Sequence, residues 1–338
     1  MLAVMPKLEE YRVPMVVETS SSGKITTSGN PYIFRISPTS EMEAKAFQPL
    51  VFLHIPENLD SLRASVMVYS LEGAREVYVR WTIARIRSDT SVATPPFGYT
   101  ASTPTIAHKG MDLEQRDTVA EEEQPLSSLQ HEMTLHLSLP KLTHGMYVMG
   151  AQVRGRFGEI TPDTFLVGAM FLLSVKSANF PRPSTLDALI EALSYIAKED
   201  ELPNIRSAPT PQEQRRQFEL FWLRLGGSQQ AAANLIRQYY TRIEEANLLF
   251  TTYKEGWKTD MGMVYTILGA PMSVGSRMDN EIWSYSYDER DPLSILVFER
   301  VADVEFGSSF PTIVLVRQPY YSAPWARAVQ RWRSGSVP

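Results

Sequence analysis

At Phe180-Pro181-Arg182-Pro183 the hydrophobic period of the chain changes, and that change limits the folds open to it. Ahead of this point, short runs rich in β-branched and aromatic residues recur: Tyr32–Ile36, Leu50–Ile55, Ser65–Ser70, Glu76–Ile86, Glu132–Leu139, Met146–Arg156 and Thr164–Val175. Turn signals such as Leu71-Glu72-Gly73 and Thr143-His144-Gly145 separate them. In the fourth run Val77, Val79, Trp81 and Ile83 alternate with Tyr78, Arg80, Thr82 and Ala84. One buried face and one wetter face is what an antiparallel strand requires. Strands spaced in this way over 31–178 predict an all-β, immunoglobulin-like sandwich. Residues 1–30 read as an arm, and Arg87 to Gln130 as a long loop bearing Asp112-Leu113-Glu114 and Glu121-Glu122-Glu123. That loop is either a solvated excursion or a surface for a basic partner.

Beyond the stiff proline linker the period becomes helical. Ser184 is placed as an N-cap with Asp187 behind it, and Leu186, Leu189, Ile190, Leu193 and Ala197 share one face. Thr210-Pro211-Gln212-Glu213 combines an N-cap, a proline at the first helical position and a capping-box glutamate. That helix carries Phe218, Phe221, Trp222 and Leu225 inward and stops at Gly226-Gly227. Ser228 opens a longer helix reaching about Phe250. After Gly256 short strands are expected at Met263–Leu268, Ile282–Tyr287, Ile295–Glu299 and Thr312–Val316. Three helices covering a small sheet make an α+β domain over 184–318, so the chain is multi-domain.

Composition removes several classes of chemistry. The chain has no cysteine, which excludes disulfides, thiolate metal sites and cysteine nucleophiles. Its net charge of −5 gives no general attraction to nucleic acid. The longest apolar run, Phe165 to Val175, falls short of the roughly 18–20 residues that span a bilayer. Met1 to Lys7 lacks the pattern of a signal peptide. His131 and His136 are a near miss of HExxH, but their i, i+5 spacing points them to opposite faces of a strand. No metal or cofactor is expected.

Two segments hold candidate functional residues. Asp260, with Glu281 and Asp279 nearby in sequence, could supply a carboxylate pair for acid and base work. Alternatively Thr259 and Asp260 cap a turn, while Gly262 supplies a permissive backbone angle. Trp257 is expected to pack on the helix face formed by Tyr239, Ile243, Ala246 and Phe250. In the tail, 319–338, Trp325, Ala328, Val329 and Trp332 form one helical stripe beside Arg327 and Arg331, with Tyr320, Tyr321 and Arg333 flanking. The stripe folds back on its own domain, docks a protein partner, or touches a membrane surface.

Four motifs carry a family resemblance. They are Phe221-Trp222-Leu223-Arg224; Tyr239-Tyr240-x-Arg242-Ile243-x-x-Ala246-Asn247-x-x-Phe250; Gly256-Trp257-Lys258-Thr259-Asp260; and Glu281-Ile282-Trp283-x-Tyr285. In this order they resemble the GWxTD domain family of bacterial envelope and secreted proteins, over about residues 180–318. The family has no established chemistry, and a β-sandwich commonly precedes its domain. Departures exist: Met261 and Met263 stand where the family has arginines, Leu225 replaces another, and Gly226-Gly227 replaces Asp-Pro.

The resemblance implies an envelope location, periplasmic or extracellular, with an export segment missing from the chain. The lack of a catalytic constellation, together with the tail, the N-terminal arm and the long acidic loop as appendages suited to holding partners, predicts a non-enzymatic interaction or structural subunit, docked to a protein assembly at the membrane. A soluble cytoplasmic regulator is the reading if Met1 is the true start. The alternative is a carbohydrate-binding or carbohydrate-processing protein using Asp260, Glu281 and aromatic platforms. A sugar site requires Trp257 or Trp283 exposed beside a carboxylate. A scaffold requires both buried and the tail extended from the body.

Overall fold

The computed structural model describes residues 15–17, 33–35, 53–57, 59, 61–67, 76–97, 110–126, 132–156, 164–286, 294–301 and 312–337. Apart from 15–17, the expected N-terminal arm lies outside these residues, as does His131. Strands β1 (Met15–Val17) and β2 (Ile33–Arg35) pair in parallel. Residues 52–302 and 311–338 form one compact unit, to which everything below belongs.

The other strands of the N-terminal half are β3 (Leu53–Pro56), β4 (Ser61–Met67), β5 (Glu76–Ser88), β6 (Met111–Leu126), β7 (Glu132–Ser138), β8 (Gly145–Arg156) and β9 (Thr164–Lys176). They build a five-stranded sheet in the order β3-β9-β8-β5-β6 and a separate β4-β7 pair. The alternation read in β5 holds as far as Ile83, with Val79, Trp81 and Ile83 buried and Tyr78, Arg80 and Thr82 partly exposed. Ala84, expected on the wetter face, is buried, at the register shift between Ile83 and Ala84. β8 and β9 continue the core with Met146, Val148, Leu173 and Val175.

The expected loop from Arg87 to Gln130 is corrected at 111–126, which is the long edge strand β6. Gln115 to Val119 and Glu121 to Glu123 are exposed, so this strand lacks the apolar alternation that marks a half-buried one. Its carboxylates instead face cations on β5: Glu123 is opposite Arg80, Asp117 opposite Arg85 and Asp112 opposite Arg87. Arg80 forms an ion pair with Glu121. A charged edge resists pairing with another chain.

The C-terminal half holds six α-helices among the described residues, not three. They are α1 (Leu186–Ala192), α2 (Glu201–Arg206), α3 (Pro211–Gly226), α4 (Gln229–Phe250), α5 (Asp260–Leu268) and α6 (Ser322–Arg333). Thr210 and Ser228 cap α3 and α4 as expected, accepting from Glu213 N and Ala231 N at 3.2 Å each. The cap of α1 is Thr185 instead of Ser184. The helices pack with an antiparallel sheet, β10 (Ser273–Ser276), β11 (Asn280–Ser284), β12 (Ile295–Val301) and β13 (Thr312–Leu315), in that order. This half is an α+β structure.

Residues 263–268, expected as a strand, lie in α5. Met261, Met263, Val264, Thr266 and Ile267 are all buried, so the helix shows no polar face and no 3.6-residue period. The tail is corrected too. α6 returns to the core, with Trp332 1% and Trp325 6% exposed. Trp332 meets Tyr239 edge-on at 5.0 Å and donates its indole N–H to Ile267 O at 3.1 Å. Residue 319 is therefore no boundary of this core.

Candidate functional site

The segment from Gly256 to Asp260 joins α4 to α5 through a single 3-10 turn, Gly256–Lys258. Three backbones meet here, and the two glycines permit it. A Cβ on Gly256 would lie 2.0 Å from the carbonyl oxygen of Ala246 in α4. One on Gly262 would lie 1.9 Å from the carbonyl oxygen of Gly256. Neither obstacle is a movable side-chain end.

Trp257 is 1% exposed and packs edge-on against Tyr195, with centroids 5.9 Å apart. Its backbone is held at both ends: Asn247 Oδ1 accepts its N–H at 3.3 Å, and Tyr195 donates its hydroxyl to its carbonyl at 2.7 Å. Asn247 also donates to Pro181 O at 2.7 Å, which ties α4 to the proline-rich segment ahead of α1. Thr259 is the N-cap of α5: its Oγ1 accepts from Gly262 N at 3.0 Å and donates to Gly256 O at 2.7 Å.

Asp260 does not share this capping role. Its Oδ2 accepts from Leu315 N at 2.7 Å and from Arg317 Nη1 at 3.0 Å, while Oδ1 accepts from Arg317 Nη2 at 2.5 Å. Arg317 is 7% exposed. Its other donors reach Leu315 O at 3.3 Å, Thr94 O at 3.0 Å and Pro95 O at 3.2 Å. A guanidinium has five N–H groups, and here each has an acceptor. Thr94 and Pro95 follow β5, so this one arginine joins the end of the small sheet, the signature aspartate and the strand-exit segment of the N-terminal half. Ala93 N to Lys258 O at 3.1 Å and Lys254 to Asp89 at 3.2 Å reinforce the junction.

Arg317 was not singled out from sequence. One signal existed: a signature aspartate buried beside a tryptophan requires a cation, and Arg317 directly follows the last apolar strand.

The other motif residues also serve the core. Tyr239 donates to Ala192 O at 2.6 Å, and Trp222 is 0% exposed. Arg242 lies 4.9 Å over the Trp332 ring and donates to Ile267 O at 3.2 Å, near the C-terminal end of α5 where carbonyls lack helical partners. Trp283, 2% exposed, donates its indole N–H to Glu281 Oε1 at 2.6 Å. The requirement set for a sugar site is thus not met, since Trp257 and Trp283 are both buried. Met263 is 0% and Met261 8% exposed, so both positions that depart from the family's arginines are filled by core side chains.

Of the tail residues considered for docking, Trp325, Trp332 and Tyr321 are buried, and Tyr321 donates to Ile295 O at 2.6 Å. Arg333 forms a two-point pair with Glu201, at 2.8 and 3.1 Å. Tyr320, Arg327 and Arg331 remain on the exposed side. The tail does not extend from the body, contrary to the scaffold expectation.

Beside the signature turn lies a cavity of about 580 Å³. β5 contributes Arg85 and Arg87, β8 Met146, β9 Ser174 and Lys176, and the turn itself Tyr253, Lys254, Glu255 and Lys258. Burial pushes Lys176 down to about 8 despite the opposing pull of Glu255. Burial also lowers His144 on the rim. Lys258 is raised: although burial opposes its charge, Glu255 and Glu191 hold it at 3.0 and 2.9 Å. No group of three or more potential metal ligands occurs among the described residues. No helix among them is long and apolar enough to cross a membrane.

No curated protein matches the chain significantly. The family model described as the GWxTD domain matches residues 160–334, which takes in β9, the small sheet and every helix through α6. That span is more than half of the chain, and it includes the turn, its arginine partner and the returned tail: the chain belongs to the GWxTD domain family.

Proposed function

We propose that this protein is a non-enzymatic structural or interaction subunit of the bacterial cell envelope, docked peripherally to a larger protein assembly. The observation that carries the reading is the state of Asp260. The one carboxylate in the family signature has both oxygens engaged by Arg317 and Leu315 N, so neither is left to serve a reacting group. One oxygen of Glu281, Oε1, accepts from the Trp283 indole. The signature then acts as a joint between two halves of the chain. Family membership supports the envelope location.

The N-terminal half is best read as an immunoglobulin-like sandwich. In support, β9, β8, β5 and β6 follow the G-F-C-C′ order of a variable-type sheet, and β4-β7 form a separate pair. Trp81 is buried on β5, the strand that holds the core tryptophan in such domains. Near the start of β8, Tyr147 donates its hydroxyl to Thr143 O at 2.9 Å, the contact of a tyrosine corner.

Docking would use surface the fold leaves uncommitted. The edge strand β10 and its flanks expose Met272 (56%), Val274 (54%) and Met278 (90%). Crosslinking mass spectrometry on native envelope fractions tests the reading. Reproducible crosslinks from this chain into one defined assembly are expected. A free monomer without such crosslinks would overturn it.

A further inference from the structure

We propose that the cavity between the β5–β8–β9 sheet and the signature turn binds a small phosphomonoester-type dianion, held by Arg85, Arg87 and Lys176. The first support is charge. The whole chain carries −5, yet this cavity is lined by Arg85, Arg87, Lys176, Lys254 and Lys258 against only Asp117 and Glu255. Lys254 is committed to Asp89, and Lys258 to Glu191 and Glu255. Arg85, Arg87 and Lys176 have no ion-pair partner among the described residues. Asp117, opposite Arg85 in the β5–β6 register, is the remaining carboxylate on the wall; Asp112, opposite Arg87, lies outside the lining.

Geometry supplies the second support. Arg85 spends one contact on His144 O, at 3.4 Å, and its guanidinium lies over Gly145, 3.4 Å from where a side chain would begin. The other donors of its fork are left for a ligand, and the planar fork suits phosphate oxygens. Arg87, two residues on, lines the same cavity. Lys176 is 6% exposed, and its ammonium lies 5.4 Å from the centroid of the Phe180 ring. A buried ammonium without a direct counter-charge is costly, as its lowered pKa records, and an incoming dianion would supply that charge.

Size narrows the ligand class. A volume of about 580 Å³ lies within the roughly 300–1,000 Å³ of small-molecule pockets. It accommodates an organic body as well as a phosphate, with Ile86, Met146 and Tyr253 lining the same space. The phosphate could belong to a soluble metabolite or to a lipid headgroup.

The test uses the full chain, with glycerol 3-phosphate as the soluble probe and glycerol at matched ionic strength as its control. A second arm measures co-sedimentation with phosphatidylcholine vesicles, with and without phosphatidic acid. Calorimetric titration or co-sedimentation should show saturable binding in at least one arm. Arg87→Gln, at an exposed position, should weaken it at least tenfold. Lys198→Gln, exposed and outside the cavity, should leave it unchanged. Binding in the soluble arm alone identifies a metabolite, and vesicle binding displaced by glycerol 3-phosphate identifies a headgroup. No saturable binding in either arm, or binding equal in Arg87→Gln and the parent chain, would overturn the proposal. The result is independent of whether the protein docks to an assembly.

Discussion

Asp260 and Arg317, 57 residues apart in sequence, meet as a two-point ion pair at 3.0 and 2.5 Å. The pair is nearly dry, with side chains 11% and 6% exposed. Its arginine also holds two carbonyls of the segment after β5, so one side chain fixes three parts of the chain at once. A lysine, with one compact ammonium, could not reach the same set of acceptors.

The glycines of the signature should be as intolerant of change as its charged pair. Gly256→Ala and Gly262→Ala each drive a methyl group into backbone, so each should destabilise by at least about 1–3 kcal/mol. Thr259→Ala, which removes the cap of α5, should cost about 1 kcal/mol. Urea unfolding of the three variants checks the order.

The returned tail gives a second prediction. Trp332→Ala should cost about 3–5 kcal/mol, because the ring fills the core against Tyr239 and Arg242. Arg327→Ala and Arg331→Ala, on the exposed side of the same helix, should change stability by less than about 0.5 kcal/mol. Thermal melts separate these outcomes, and equal effects would contradict the packing of α6.

Lys176 sets a pH dependence. Its folded pKa, about 8, lies below its unfolded value of 10.5. Between these values the unfolded chain binds more protons, so stability rises with pH. The cost of burying the charge is full below about pH 8 and is relieved above it. The charged groups lining the same cavity are Glu255, Asp117, Lys254, Lys258, Arg85 and Arg87, while His144, lowered by burial, is neutral in this range. Relative to Lys176→Met, the parent chain should gain on the order of 2 kcal/mol between pH 7.5 and 9.5. The buried hydroxyls of Tyr195, Tyr239 and Tyr240 are pushed up and act in the opposite sense, but only above about pH 10. Urea unfolding at the two pH values reads the difference, and a flat difference would contradict the burial of a charged Lys176.

What could be read from sequence follows the range of the interactions involved. The caps at Thr210 and Ser228 were legible because a cap is complete within three residues. The strand β5 was legible because its alternation survives in Val79, Trp81 and Ile83. α5 was misread because burial on nearly all sides erases the period that distinguishes helix from strand. β6 was misread because its pairing rests on an edge rich in carboxylates instead of on apolar alternation. The stripe of Trp325 and Trp332 was visible, but its destination depended on Tyr239 and Ile267, far away in sequence. Arg317 was missed for the same reason: Asp260 and Thr94, its partners, are remote from it in the chain.

The claim that the family signature is a structural joint is tested most directly by a double-mutant cycle on Asp260→Asn and Arg317→Met, read by urea unfolding. Removing one partner of a buried pair leaves the other uncompensated, so each single variant should lose about 3–5 kcal/mol. The double variant should lose clearly less than the sum, with a coupling of about 2 kcal/mol or more. Single variants that fold with parental stability, and simply add in the double, would show that Asp260 and Arg317 are held for another purpose.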